Sequence, residues 1–238
     1  MGRAAALDTA RTIRQLLEFK PTVAMVFAAA PSQDEFLEAL AADPSVDFTR
    51  IIAFHMDEYV GLPEDAPQRF GNFLKDRLFG KVSFREVHYL DGNAPGAAEC
   101  ARYAALLARQ PIDIVCMGIG ENGHIAFNDP PVADFQDPVL VKCVALDTVC
   151  RMQQVHDGCF ARLDDVPTHA LTLTIPALMR ADRHFCMVPA ATKAEAVRRT
   201  VTGPIDTACP ASILRTGRQV ILYTDADSGA CLRNGGAV

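Results

Sequence analysis

Runs of consecutive apolar, β-branched residues alternate along this chain with stretches whose apolar positions recur every three or four residues. Thr22-Val23-Ala24-Met25-Val26-Phe27 predicts a strand buried on both faces. Ser32-Gln33-Asp34-Glu35 follows as a capping box, serine at the cap and glutamate three residues on, and Phe36, Leu37 and Leu40 give the helix it opens an apolar face. Further strands are predicted at 50–54, from Ile112, at 139–146, 170–174, 184–188 and 220–223. Helical spacing covers 70–78, 97–108 and 192–201.

Apolar strands separated by helices imply an α/β fold: a single doubly wound, mostly parallel, Rossmann-like sheet with helices on both faces. Right-handed crossovers then bring the turns at 28–32, 55–59 and 118–124 to one edge of the sheet. No linker divides the chain, so residues 1–238 are expected to form one domain, with 234–238 as a frayed tail.

Composition narrows the function classes. The net charge of -6, with no dense Lys/Arg stripe, argues against nucleic acid as the main partner. No apolar run approaches the ~20 residues that span a bilayer, so no membrane partner is expected. Asp8 and the polar residues after it break any signal-peptide core. The eight cysteines show no CxxC spacing, which reads as reduced structural thiols in the cytoplasm.

The densest chemistry lies at 118–130, Gly118-Ile119-Gly120-Glu121-Asn122-Gly123-His124-Ile125-Ala126-Phe127-Asn128-Asp129-Pro130, directly after the apolar run from Ile112. Three glycines in six residues let the backbone approach a ligand, at the strand end where α/β sheets bind one. His124 is then an acid/base group or a satisfied structural histidine. No second histidine is spaced to share a metal and no HExxH occurs, so neither metal nor cofactor is expected. Asp57, at another strand end, is a general-base candidate, or with Glu58 a solvated pair or helix cap. Residues 28–32 could cradle a phosphate or simply start a helix. Lys193 and Ser212, each beside a helix start, could contact a ligand or do nothing beyond solvation and capping. Walker, GxGxxG and GxSxG patterns are missing.

Together these segments resemble the glucosamine-6-phosphate deaminase/isomerase family, related to 6-phosphogluconolactonase. The resemblance rests on residues 54–63, 91–95, 118–130 and 166–172, with weaker matches at Lys193 and 211–214. It implies a metal-free isomerisation coupled to loss of ammonia, in which a phosphorylated hexosamine becomes fructose 6-phosphate. Asp57 then corresponds to the base that removes the C2 proton and His124 to the group that helps open the ring. Ser32, Gly120, Gly123, Arg151 and Lys193 are the expected substrate-binding residues, although residues 28–33 replace the family's Gly/Thr-rich phosphate loop and residues 151–154 match its phosphate-binding arginine segment only in part. Asn122 stands where the family has an aspartate and Asp129 where it has a glutamate, both expected at the catalytic centre. An amide at 122 orients the imidazole but adds no charge. Family members often assemble, which raises a homo-oligomer. The competing readings are a non-catalytic sugar-phosphate sensor and a lactonase-type hydrolase.

Overall fold

The computed structural model describes residues 1–233; the tail expected at 234–238 lies outside the described residues. Helix α1 (Gly2–Phe19) leads into β1 (Val23–Phe27), α2 (Asp34–Ala41), β2 (Ile51–His55) and β3 (Asp57–Tyr59). Then come α3 (Phe70–Leu74), continued by a π-turn over Lys75–Phe79, β4 (Glu86–His88), α4 (Gly96–Leu107) and β5 (Ile114–Met117). The second half holds β6 (Val141–Ala145), α5 (Thr148–His156), β7 (His169–Leu173), α6 (Ile175–Met179), β8 (Arg183–Val188), α7 (Ala194–Thr202), β9 (Gln219–Thr224) and α8 (Ala230–Arg233).

Six parallel strands form the main sheet in the order β4-β2-β1-β5-β8-β9. The expected α/β architecture is present. Alternate residues of β1 enter different cores: Val23, Met25 and Phe27 pack with α1, α2 and α3, while Ala24 and Val26 pack with α4, α6 and α7. That two-sided burial is why the strand reads as a continuous apolar run. Between β1 and β5 the chain order reverses, and a crevice opens there beyond the strands' carboxyl ends.

Beside the main sheet stands a three-stranded antiparallel sheet, β3-β7-β6. The apolar runs at 139–146 and 170–174 are strands as expected, but they belong to this smaller sheet. β3 pairs Asp57 with Thr172 and Tyr59 with Ala170. Helix α1 carries no strong apolar signal, because its buried face is Ala5, Ala6, Thr9 and Ala10 with a single large residue, Ile13.

The expected capping box does not form. Ser32 lies inside a 3₁₀ turn (Pro31–Gln33) that precedes α2, and Ala30 caps that turn without a side-chain bond. Glu35 turns away to accept from the Gly2 N–H at 2.6 Å and to pair with the chain's amino terminus. A cationic terminus and a free helix N–H outcompete the local cap.

Candidate active site

A cavity of about 300 Å³ occupies the crevice between β1 and β5. The turns after β1, β2 and β5 meet there, as the right-handed crossovers require. Asp57, His124, Ser32, Gly120 and Lys193 all line it.

Asp57 sits where the chain leaves the main sheet and enters β3. Its backbone is fixed from behind by His55. The Leu90 N–H donates to His55 Nε2 at 2.9 Å, so Nδ1 carries the proton and donates to the Asp57 carbonyl, also at 2.9 Å. Burial pushes the His55 imidazole down to about 4, which keeps it neutral. The Asp57 carboxylate is 7% exposed and has no hydrogen-bond partner among the described residues. Burial, and then the charge of Glu58, raise its pKa well above the usual carboxylate value. Such a carboxylate is basic, and it lines the cavity.

Glu58 points the other way. Its oxygens accept from the N–H groups of Tyr59, Phe70 and Gly71 at 2.9–3.0 Å, with the Arg69 guanidinium 3.9 Å away. It therefore caps α3 and holds the 60–70 loop, whose Phe70 forms part of the cavity wall.

His124 is held by the turn that carries it. Asn122 Oδ1 accepts from the His124 backbone N–H at 3.0 Å and from Nδ1 at 2.8 Å. Asn122 Nδ2 donates to Asp129 Oδ1 at 2.8 Å, and that oxygen lies 2.9 Å from His124 Nδ1. Nδ1 is thus the protonated nitrogen, and Nε2 is left to accept. Neither Asn122 nor Asp129 lines the cavity: both stand behind the imidazole and position it. The carboxylate that seemed lost at residue 122 is supplied by Asp129. Burial raises the Asp129 carboxyl, but the His124 ring and the Asn122 and Cys150 side chains more than offset this, and the net shift is downward. The donor atoms of His124, Asp129 and Cys150 lie within 4.8 Å of one another. Burial raises the Cys150 thiol well above its ordinary pKa, so it stays protonated and is a poor cation ligand.

Two glycines shape this turn. A Cβ on Gly120 would overlap the His124 ring, and one on Gly123, at φ +89°, would sit 2.7 Å from Cys209 Sγ. Gly123 does not reach the cavity, so its expected contact with substrate is replaced by packing against residues 209–211. The Ala211 N–H donates to its carbonyl at 2.8 Å. Ser212 makes a local turn with Asp206 and does not line this cavity. Strand β7 ties the two halves of the site together: Thr172 pairs with Asp57 and its hydroxyl accepts from the Phe127 N–H at 3.1 Å. Asn128 donates to the Leu173 carbonyl at 2.9 Å.

Lys193 enters the cavity from the turn before α7. Its ammonium is buried without a partner, and burial lowers its pKa while Asp157 and Glu121 oppose that. Arg151 does not join it. Its guanidinium donates to the carbonyls of Leu163 and Val166 at 2.7 and 2.9 Å, bracing the loop after α5. A flexible cation goes where orphaned carbonyls need it. Sequence reasoning missed Gln153 and Gln154, which α5 presents to the cavity instead. No helix among the described residues is long and apolar enough to cross a membrane.

The family model for glucosamine-6-phosphate isomerases/6-phosphogluconolactonase matches residues 1–223. A glucosamine-6-phosphate deaminase of Listeria innocua is 37% identical over 205 residues, 86% of either chain. One from Bacillus thuringiensis is 32% identical over 209 residues, 87% of this chain and 77% of its own. Among solved structures, a monomeric glucosamine-6-phosphate deaminase superposes with a TM-score of 0.88 at 30% identity, over 97% of this chain and 95% of that one. A 6-phosphogluconolactonase from Thermotoga maritima shares the fold, with a TM-score of 0.74 at 21% identity over 92% and 94% of the two chains.

Proposed function

The chain belongs to the glucosamine-6-phosphate isomerase/6-phosphogluconolactonase family, and from that premise we propose that it is an enzyme that deaminates and isomerises an amino-sugar phosphate. Glucosamine 6-phosphate and water become fructose 6-phosphate and ammonia. The observation that carries this reading is an unpartnered, basic carboxylate, a free imidazole Nε2 and a buried, unpartnered ammonium on one cavity.

His124 Nε2 takes the O1 proton and returns one to the ring oxygen as the C1–O bond breaks, opening the sugar. Asp57 removes the C2 proton; the electron pair forms the C1–C2 double bond as the C1–O1 π bond breaks and O1 takes a proton from water, and the same carboxylate then delivers the proton to C1 as the nitrogen lone pair forms the C2–N double bond. The resulting C2 imine adds water and expels ammonia. Asn122 and Asp129 hold the imidazole in the tautomer this sequence needs, and Lys193 holds the phosphate. The catalytic residues are then Asp57 and His124. All these groups come from one chain, so the chemistry needs no second copy. We place the enzyme in a reducing, cytoplasmic setting on its eight free cysteines. We also treat it as one domain, since residues of both sheets share a core cluster.

The test is an assay of ammonia release and ketose formation across hexosamine phosphates, with glucosamine 6-phosphate first. Lactone hydrolysis without ammonia would place the chain on the lactonase branch. Binding without turnover on any phosphosugar, from folded protein, would make it a sensor.

A further inference from the structure

The small sheet does not hold the peptide of Asp57. Ladder bonds run from the Leu173 N–H to the Met56 carbonyl at 2.8 Å and from the Val60 N–H to the His169 carbonyl at 3.0 Å. Bonded pairs alternate along antiparallel strands, so Asp57 and Thr172, one step from Met56 and Leu173, are a non-hydrogen-bonded pair. The Asp57 carbonyl is held instead by His55, the last residue of β2, which is fully buried and does not line the cavity. A neutral imidazole has one donor and one acceptor. Leu90 supplies the donor to Nε2, so the proton at Nδ1 goes to Asp57, each over 2.9 Å. The other tautomer would set donor against donor and lone pair against lone pair in a buried place, where unmade bonds are costly.

Helix α4 fixes the segment that donates to Nε2. Glu99, 3% exposed, accepts from the Asp91 N–H at 2.8 Å, and Arg102 pairs with it at 2.6–2.7 Å. Arg102 also donates to the Tyr89 carbonyl at 2.7 Å. Leu90 therefore sits between two clasped residues. The next side chain of α4, Tyr103, accepts from the His55 N–H at 3.0 Å, and its hydroxyl lies 2.9 Å from the His55 carbonyl. We infer that His55 is a positioning residue for Asp57, and that Glu99 and Arg102 act on the base through Leu90 and the imidazole. A displaced carboxylate still binds a proton but no longer meets C2 in line. This rests on the reading of Asp57 as the base.

The experiment uses the whole 238-residue chain and two substitutions that each keep half of the imidazole. His55→Asn places an amide nitrogen where Nδ1 stands and still donates to the Asp57 carbonyl. His55→Gln reaches the Nε2 position and still accepts from Leu90, but leaves Asp57 unheld. His55→Gln should lower kcat by about 100-fold with KM within about threefold. His55→Asn should keep kcat at least about tenfold above the glutamine variant, although both lose a packed ring and melt below the parent. Equal kcat in the two variants would overturn the assignment, since His55 would then only fill space. Glu99→Ala should lower kcat by about tenfold in the parent and add little in His55→Gln, because both act through one contact. Losses that multiply would overturn the route from α4. A readout without turnover is the titration of the Asp57 carboxyl, followed by carbon-13 NMR. It should stay raised in the parent and in His55→Asn and relax toward the ordinary carboxylate value in His55→Gln. The same titration in all three would overturn the positioning role. That relaxation, in a chain whose parent turns over no phosphosugar, would overturn the deaminase reading and leave the positioning role standing.

Discussion

At the β2–β3 corner the carboxylate of Asp57 is buried with no hydrogen-bond partner among the described residues. Behind His124, the carboxylate of Asp129 is fully buried but bonded to Asn122 and set against the imidazole and the Cys150 thiol. The first is pushed above the ordinary carboxylate range by burial and by Glu58; the second is held below it. Two acids of one residue type thus receive opposite tasks from their surroundings. The bare one can take a proton from carbon. The clasped one stays charged and keeps a histidine in place.

The strongest way to test that contrast is Asp57→Asn. Turnover should fall by about 10⁴-fold, the upper range for loss of a general base. Phosphosugar affinity should stay within about tenfold, since the proposed role of Asp57 is proton transfer and not phosphate binding. The variant should also be more stable than the parent at neutral pH. A carboxyl whose pKa is raised by folding binds its proton more tightly in the native state. Its presence therefore lowers stability as pH rises from the unfolded value through the folded one, and the loss is complete above both. Asparagine removes that penalty, and each 1 kcal/mol recovered raises Tm by roughly 2–4 °C in a chain of this size. Retained turnover would show that Asp57 is not the base.

Asp129→Asn attacks the other plan and should give the opposite stability sign. Removing the charge beside His124 should lower kcat by about 10²-fold through the imidazole. A carboxyl lowered by folding contributes stability that is present above its unfolded pKa and lost as pH falls through the folded one. The Tm deficit of the variant should therefore be full at neutral pH and close as the medium is acidified toward pH 3. A pH-independent deficit would mean that packing, not charge, is what Asp129 supplies.

The two regions were also unequally legible in the sequence. Asp57 and His124 could be placed because each follows an apolar strand, and strand ends in a parallel sheet converge. The support behind them could not. Asn122 looked like a lost carboxylate, since chain position does not reveal that Asp129 folds back to within 2.9 Å of the ring. Arg151 was visible as a cation, but its direction is set by the carbonyls of Leu163 and Val166, which no local pattern exposes. Helix α5 went unpredicted because the face it buries is Cys150, Gln153 and Gln154, with no apolar stripe, and its two glutamines fit no motif. One signal was available: Cys150 and Gln154 are four apart, so a helix there places both on one face. β3 has three residues, too few to show a period.

Asn122→Asp restores the family's residue and sharpens the contrast further. The amide now donates to Asp129 at 2.8 Å. A carboxylate there would set two like charges at hydrogen-bond distance, and one of them must hold a proton. The pair should add a titration to the pH profile of kcat that the parent lacks, with an effect of about tenfold at neutral pH. An unchanged profile would show that residue 122 is not coupled to His124.

The smallest expected effect concerns strain. Ala126 and Ala190 are the non-glycine residues with left-handed φ among those described, +48° and +82°, and both line the cavity. Ala126 lies in the turn that Asn122, Asn128 and Thr172 stitch down, so the clasped half of the site carries part of the strain, and Ala190, in the turn before Lys193, carries the rest. Replacing it with glycine relieves roughly 1 kcal/mol of left-handed cost. The same change removes a mostly buried methyl, worth about 0.8 kcal/mol, and frees the unfolded chain by about 0.4–1 kcal/mol. These nearly cancel, so Ala126→Gly should move Tm by less than about 3 °C either way. kcat should fall modestly, by about threefold, as the turn gains freedom around His124. A β-branched residue fits that φ poorly, so Ala126→Val should be clearly destabilised. If glycine and valine behaved alike at this position, the backbone there would not be strained, and the network behind His124 would have no strain to hold.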